Sequence, residues 1–279
     1  MSKNGAIFRI ARYTASQISD VGGTADAAFP ASALANIQPK VVTRTPSGTG
    51  NRILAVDIDF GANTPIDGLA ALHANLVTLG IWQAFGATAA QGPLGTIFTE
   101  PGDRRLFGQT SWVPFGTPPT TRESRTAALV LGGPHSIRYL RVYFSTDQLP
   151  FTEVGTLLPL QRLAIGQDQF GNFELGSGRR VDDRSTVRGL PGGETFIERG
   201  GRVPQWRATW SNATEAQYRE LWSLFMEVGT SAPILVAEFQ DGSTGQAEAL
   251  HYGVIQNIDF SERVQLDKQR IELRIQELV

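Results

Sequence analysis

Asp57 and Asp59 stand two residues apart in Val56-Asp-Ile-Asp-Phe-Gly61 and are the most obvious chemical pair in the chain. On one strand face, two carboxylates at this spacing suit a hard cation or acid–base work. The surrounding pattern supplies a plainer reason for them. Leu54, Val56, Ile58 and Phe60 take one face of a half-buried strand, and Ala55, Asp57 and Asp59 take the other. The pair therefore reads as structural. The histidines, His73, His135 and His251, lie far apart, and none has a second ligand at i+2 or i+4. No Gly-x-Ser-x-Gly elbow is present for a hydrolase. Gly176-Ser-Gly and Gly192-Gly193 neither end in Lys-Ser/Thr nor open a helix, as a phosphate cradle requires. The expectation is a protein that is not an enzyme, with no catalytic residues, cofactor or metal.

Two other groups of residues suit binding. Phe107, Trp112 and Phe115 sit in a Pro- and Gly-rich stretch, residues 91–125. Exposed rings on sandwich loops stack on sugar faces, so these three are the candidate glycan-binding residues; the alternative is that they cover a sandwich end or fill a subunit interface. Arg179, Arg180, Arg184 and Arg188 form a small basic cluster in which Asp182 and Asp183 interleave. Mixed signs suit salt bridges to a neighbouring subunit better than a phosphate track, and all six are candidate interface residues.

Bulk composition narrows the classes further. A formal net charge of −2 offers no general attraction to nucleic acid or to an anionic membrane. With 0 Cys, disulfides, thiolate metal sites and Cys nucleophiles are excluded. Arg9 and Arg12 interrupt the first apolar stretch before it reaches the length of a signal-peptide core. No run approaches the apolar length of a membrane helix, so a soluble chain made in a cytoplasm is expected.

Several elements must position these residues. Strands are expected at Ile53 to Phe60, Ile66 to Leu76, Ile81 to Ala87, Thr126 to Leu131, Arg138 to Phe144 and Val154 to Leu163, with Gly61, Pro65 and Gly80 between the early ones. Gly176 to Arg202 has almost nothing to bury and reads as a linker, a long hairpin or an arm ordered by neighbouring subunits. Trp206, Ala208 and Trp210 alternate on one strand face. A helix follows at about 214–228, capped by Asn212 or Thr214, with Glu215 or Gln217 completing a capping box and Gly229 ending it. Its apolar stripe is Tyr218, Leu221, Trp222, Phe225 and Met226. Three strands close the chain: Ile234 to Phe239, Ala249 to Phe260 and Val264 to Leu278, with Ser261-Glu262-Arg263 as the turn of a long hairpin. The expected class is mainly β in two domains: a β-jelly-roll sandwich at 1–165, and at 166–279 a β-sandwich with one amphipathic helix.

Three segments, Val56-Asp-Ile-Asp-Phe-Gly61 with Ile66 to Leu76, Arg138-Tyr-Leu-Arg-Val-Tyr-Phe144, and Phe151-Thr-Glu-Val-Gly155, stand in an order that resembles the galactose-binding-like (discoidin) jelly-roll over about residues 28–163. The chain lacks that family's two cysteines, and Ala84-Phe-Gly-Ala-Thr-Ala stands where a Ser-x-Asp-Gly segment is usual. With its Phe29-Pro30 to Asn36 opening, the jelly-roll also resembles those of siphophage tail proteins. The layout Trp206 to Asn212, helix, Gly229 to Leu235 and long hairpin is similar to tail-tube and distal-tail ring domains. That resemblance implies a structural component of a bacteriophage tail tip or baseplate in the virion: a hexameric homo-oligomer linking tail-tube and tip proteins. Its implied ring-forming surfaces are the arm at 176–202 and the hairpin Ala249 to Leu278. The alternative implied function is a carbohydrate-binding adhesin that contacts a host surface glycan through the jelly-roll loops.

Overall fold

A computed structural model describes residues 6–48, 52–75, 81–95, 127–146, 149–163, 178–189, 195–238, 250–265 and 268–278. These residues form 15 β-strands and one α-helix, so the chain is mainly β, as expected. Among them no helix is long and apolar enough to cross a membrane. The chain divides into two compact units: unit 1 is Met1–Ile7, Leu163–Glu238 and His251–Val279, and unit 2 is Phe8–Arg162 and Phe239–Leu250.

Unit 2 carries β2 (Ile18–Asp20), β3 (Thr43–Arg44), β4 (Arg52–Leu72), β5 (Ile81–Ala87), β6 (Ala127–Thr146), β7 (Glu153–Val154) and β8 (Thr156–Arg162), and it holds most of β1 (Ala6–Ile10). Its strands run in the order β5-β6-β4-β8-β1, with β2 beside β4 and a separate β3-β7 pair. Two pairs of expected strands prove to be single strands. Ile53 to Phe60 and Ile66 to Leu76 merge into β4, and Thr126 to Leu131 and Arg138 to Phe144 merge into β6, because the two halves of each pair with the same long partner from Arg52↔Thr146 to Ala71↔Ala127. Gly61 and Pro65 do not end the strand. Gly61, with a φ of 79°, falls in a register shift between Asp59 and Thr64, and Pro65 lies in the resumed ladder opposite Ser136.

The alternation in β4 and β6 is real, but both faces are covered. Leu54, Val56 and Ile58 join Leu69, Leu140, Val142 and Phe144 in the main core. On the opposite face Ala55 packs with Phe85, Ala87, Leu94 and Tyr143, which adds a second apolar layer where a solvated one was expected.

Unit 1 is built from β9 (Gly178–Asp183), β10 (Thr186–Gly189), β11 (Thr195–Glu198), β12 (Arg202–Thr214), α1 (Glu215–Val228), β13 (Pro233–Ala237), β14 (Leu250–Gln265) and β15 (Lys268–Glu277). The sheet order is β13-β14-β15-β12-β9, and β10 pairs only with β11. Ser261-Glu262-Arg263 is not the hairpin turn. It lies inside β14 at a register irregularity between Phe260 and Arg263, and the β14–β15 ladder continues to Gln265↔Lys268.

The helix begins as its caps dictate. Thr214 is the N-cap, Gln217 completes the capping box, and Gly229 closes the helix with a φ of 55°. Its buried face is rotated from the expected stripe. Leu221, Leu224 and Val228 are buried against Trp206, Trp210, Ile234, Val236, Ile271, Leu273 and Ile275, while Trp222 and Met226 turn outward. At 100° per residue, positions 221, 224 and 228 share an arc from which 222 and 226 are displaced.

Candidate association surface

The Gly-rich arm is a β ribbon. In its inner part β9 pairs antiparallel with β12 from Arg202↔Asp183 to Arg207↔Gly178, and β9 is the edge strand of the unit 1 sheet. In its outer part β10 and β11 pair from Thr186↔Glu198 to Gly189↔Thr195. Between the two parts the chain is pinned at a corner. Arg184 N donates to Gly201 O at 3.2 Å, Gly200 N donates to Ser185 Oγ at 3.1 Å, and Ser185 N donates to Asp183 Oδ1 at 2.9 Å. Gly200 is required there, since a Cβ would lie 2.2 Å from the Arg184 carbonyl.

Every residue of β10 and β11 is exposed. Val187 and Ile197, a cross-strand pair, are 64% and 59% exposed; Phe196, opposite Arg188 on the other face, is 55% exposed. A two-stranded ribbon with no layer against it is marginal by itself. The six residues expected at an interface lie along this ribbon, and two of their carboxylates already have partners. Asp183 meets Arg202 at 3.3 Å and Asp182 meets Arg184 at 3.7 Å. The Asp183 carboxyl is held below its ordinary value, first by hydrogen bonds from Ser185 and then by Arg202.

A second uncovered surface, missed in the sequence, lies on α1. Trp222 is 42% exposed and Met226 68%. Trp222 stacks on half-buried Tyr218 with ring centroids 6.5 Å apart and also meets Phe225 at 6.1 Å. The available signal was the width of the apolar arc. With Leu224 and Val228 added to the five-residue stripe, α1 has more apolar surface than one core can bury.

Asp57, Asp59 and His251 are engaged by other side chains, whereas His73 is buried in unit 2 and His135 is exposed. Asp57 receives two hydrogen bonds of 2.6 Å from buried Arg141, which also donates to the carbonyls of Leu94 and Gly95 and to Tyr143 OH. The Asp57 carboxylate first, and Tyr143 to a lesser degree, raise the Arg141 pKa. Asp59 receives a similar pair from Arg138 at 2.8 and 3.0 Å. Each carboxylate is thus held by an arginine on the neighbouring strand β6. Arg44 lies between the rings of Phe29 and Phe151, 4.3 and 4.1 Å from their centroids, and pairs with buried Glu153 at 2.7 Å. Asn75 accepts from Glu153 N and donates to Phe151 O. Gly155 allows close approach, because a Cβ there would lie 1.9 Å from Pro39 O. The segments that carry the jelly-roll resemblance are thus joined by packing and ion pairs.

His251 is fully buried in unit 1. Its Nδ1 lies 2.6 Å from Glu277 Oε1 and its Nε2 2.8 Å from Glu238 Oε1, and the ring stacks on Trp206 at 5.1 Å. Trp206 Nε1 also donates to Glu238 Oε1 at 2.9 Å. The hydrogen bond from His251 is the main influence holding Glu238 below its ordinary pKa, with Trp206 and Arg179 adding to it. With both nitrogens against carboxylates and one ring face on Trp206, the imidazole is held as a buried polar plug of unit 1. Among the described residues no group of three or more His, Asp or Glu is placed to hold a metal ion. Phe107, Trp112 and Phe115 lie outside the described residues.

No family model and no curated protein sequence matches the chain. Solved structures with similarity include a CBM32 module of a family 31 glycoside hydrolase from Clostridium perfringens, at 11% identity and a TM-score of 0.37, covering 54% of this chain and 99% of that one. A chitosan-binding module from a Paenibacillus sp. IK-5 chitosanase/glucanase has 10% identity and a TM-score of 0.36, covering 58% of this chain and 100% of that one. The family 32 module of Clostridium perfringens NanJ, solved in complex with galactose, has 10% identity and a TM-score of 0.36, covering 56% of this chain and 99% of that one. All three are carbohydrate-binding modules, and at TM-scores this low the likeness carries no argument about what this chain does.

Proposed function

We propose that this chain is a non-catalytic assembly protein that associates with copies of itself through the arm formed by β9, β10 and β11. One observation carries this reading: a ribbon whose outer strands are exposed at every residue nevertheless presents Val187, Phe196 and Ile197. Apolar side chains on a bare ribbon gain stability only when something covers them. The finer reading, a hexameric ring at a phage tail tip, rests on the layout resemblance of residues 206–279 to distal-tail domains and on nothing in the comparisons. Sedimentation of the purified chain tests association. The expected result is concentration-dependent oligomers that Phe196→Ser with Ile197→Ser removes; a chain that stays monomeric at high concentration sinks the proposal.

The second reading is glycan recognition by the jelly-roll unit. It agrees better than a tail ring does with the descriptions of the structural neighbours, one of which was solved with galactose. Its residues would be Phe107, Trp112 and Phe115. Glycan-array binding by the full chain, abolished by Trp112→Ala, is the outcome expected of this reading, and silence on the array counts against it.

A further inference from the structure

Among the described residues eight large hydrophobic side chains are exposed, and six of them belong to two patches of unit 1: Val181, Val187, Phe196 and Ile197 on the arm, and Trp222 and Met226 on α1. The patches carry opposite charge. Residues 176–202 hold six arginines against four carboxylates, whereas α1 holds Glu215, Glu220 and Glu227 against Arg219. We infer that the arm of one copy lies across the outward face of α1 on the next copy, so that each chain gives one arm and receives one. This rests on the association reading above and adds which two surfaces meet.

An arm-to-arm contact would be isologous. It would bring two net-positive ribbons together and leave Trp222 and Met226 exposed. A heterologous contact covers the α1 patch and one face of the arm, the face of Phe196 and Arg188, and sets an arginine-rich ribbon against a glutamate-rich helix. The periods are compatible: Trp222 and Met226 are one helical turn apart, about 5–6 Å, and neighbouring same-face side chains of a ribbon are spaced about 7 Å. Such contacts close into a ring when the rotation between neighbours permits, and otherwise extend as a filament.

The absence of cysteine makes disulfide trapping unambiguous. Full-length Phe196→Cys and Met226→Cys chains, one with a size tag, are mixed under mild oxidation and run on a non-reducing gel. The expected product is the mixed dimer, with little homodimer from either variant alone and less mixed dimer as salt is raised. Homodimers of Phe196→Cys alone would overturn the inference in favour of arm-to-arm pairing. A double variant that closes within one chain on dilution would overturn it in favour of an internal contact. Met226→Glu, at an exposed position, is expected to abolish oligomers without moving the unfolding midpoint of the dilute chain. Wild-type oligomers with no mixed cross-link remove only the pairing of arm and helix; a wild-type chain that never associates removes the association reading as well.

Discussion

The ribbon of unit 1 is covered at one end and bare at the other. In β12, Trp206, Ala208 and Trp210 alternate inward beneath α1 and are buried, while beyond the Gly200 corner β10 and β11 carry Val187, Phe196 and Ile197 on their two faces and bury nothing. The backbone pairing is the same kind in both places. What differs is the layer packed against it, so strand pairing by itself does not decide whether either face is covered.

Breaking the covered end should produce the largest change. Trp206→Ala removes a fully buried ring together with its hydrogen bond to Glu238 and its stack on His251, and is expected to cost about 3–5 kcal/mol in denaturant unfolding of unit 1. A loss near that of an exposed substitution would mean that the inner ribbon is not core.

Unit 2 sharpens the contrast with a charge. Asp57→Asn leaves the buried Arg141 guanidinium without its anion and should cost about 3 kcal/mol. The corresponding change on the arm, Asp183→Asn, should leave the unfolding midpoint where it is, since both Asp183 and Arg202 are exposed.

A smaller effect is expected from pH. Glu238 is held below its ordinary pKa in the folded chain, so the unfolded chain binds the proton more readily. The stability it contributes is fully present above the ordinary glutamate value and is lost as the pH falls through the lowered folded value. Melting curves from neutral pH into that acid range should show the loss, and Glu238→Gln should flatten it. An unchanged acid slope in that variant would remove the Glu238 carboxylate as its source.

At the bare end, Phe196→Ala should change the stability of the dilute chain by no more than about 0.5 kcal/mol while weakening its oligomers. A large destabilisation of the isolated chain would show that the arm folds onto its own unit and would erase the comparison.

Much of this architecture was legible in the residues. The mainly β class, the helix with its Thr214–Gln217 box and the inward Trp206–Ala208–Trp210 row follow from period and capping chemistry, which act over a few residues. The strand boundaries were less so, because Gly61 and Pro65 punctuate a chain locally, whereas one long partner strand carries β4 past them. The candidate interface residues from Arg179 to Arg188 were placed on an arm by composition alone, since a stretch with so little to bury has few other options.

The polar plug left only a faint trace. Glu238 continues the inward row of Ile234 and Val236, and Glu277 continues that of Ile271, Leu273 and Ile275, so parity placed both carboxylates inside. That they meet the two nitrogens of one histidine depended on the order β13-β14-β15-β12, which no local pattern contains. The same distinction governs the helix. Its sequence determined that an apolar arc exists, through the 100° step between residues. Only tertiary structure decided that Leu221, Leu224 and Val228 face the core and that Trp222 and Met226 stay outside, because the area a sheet can cover is set by strands brought together from distant parts of the chain.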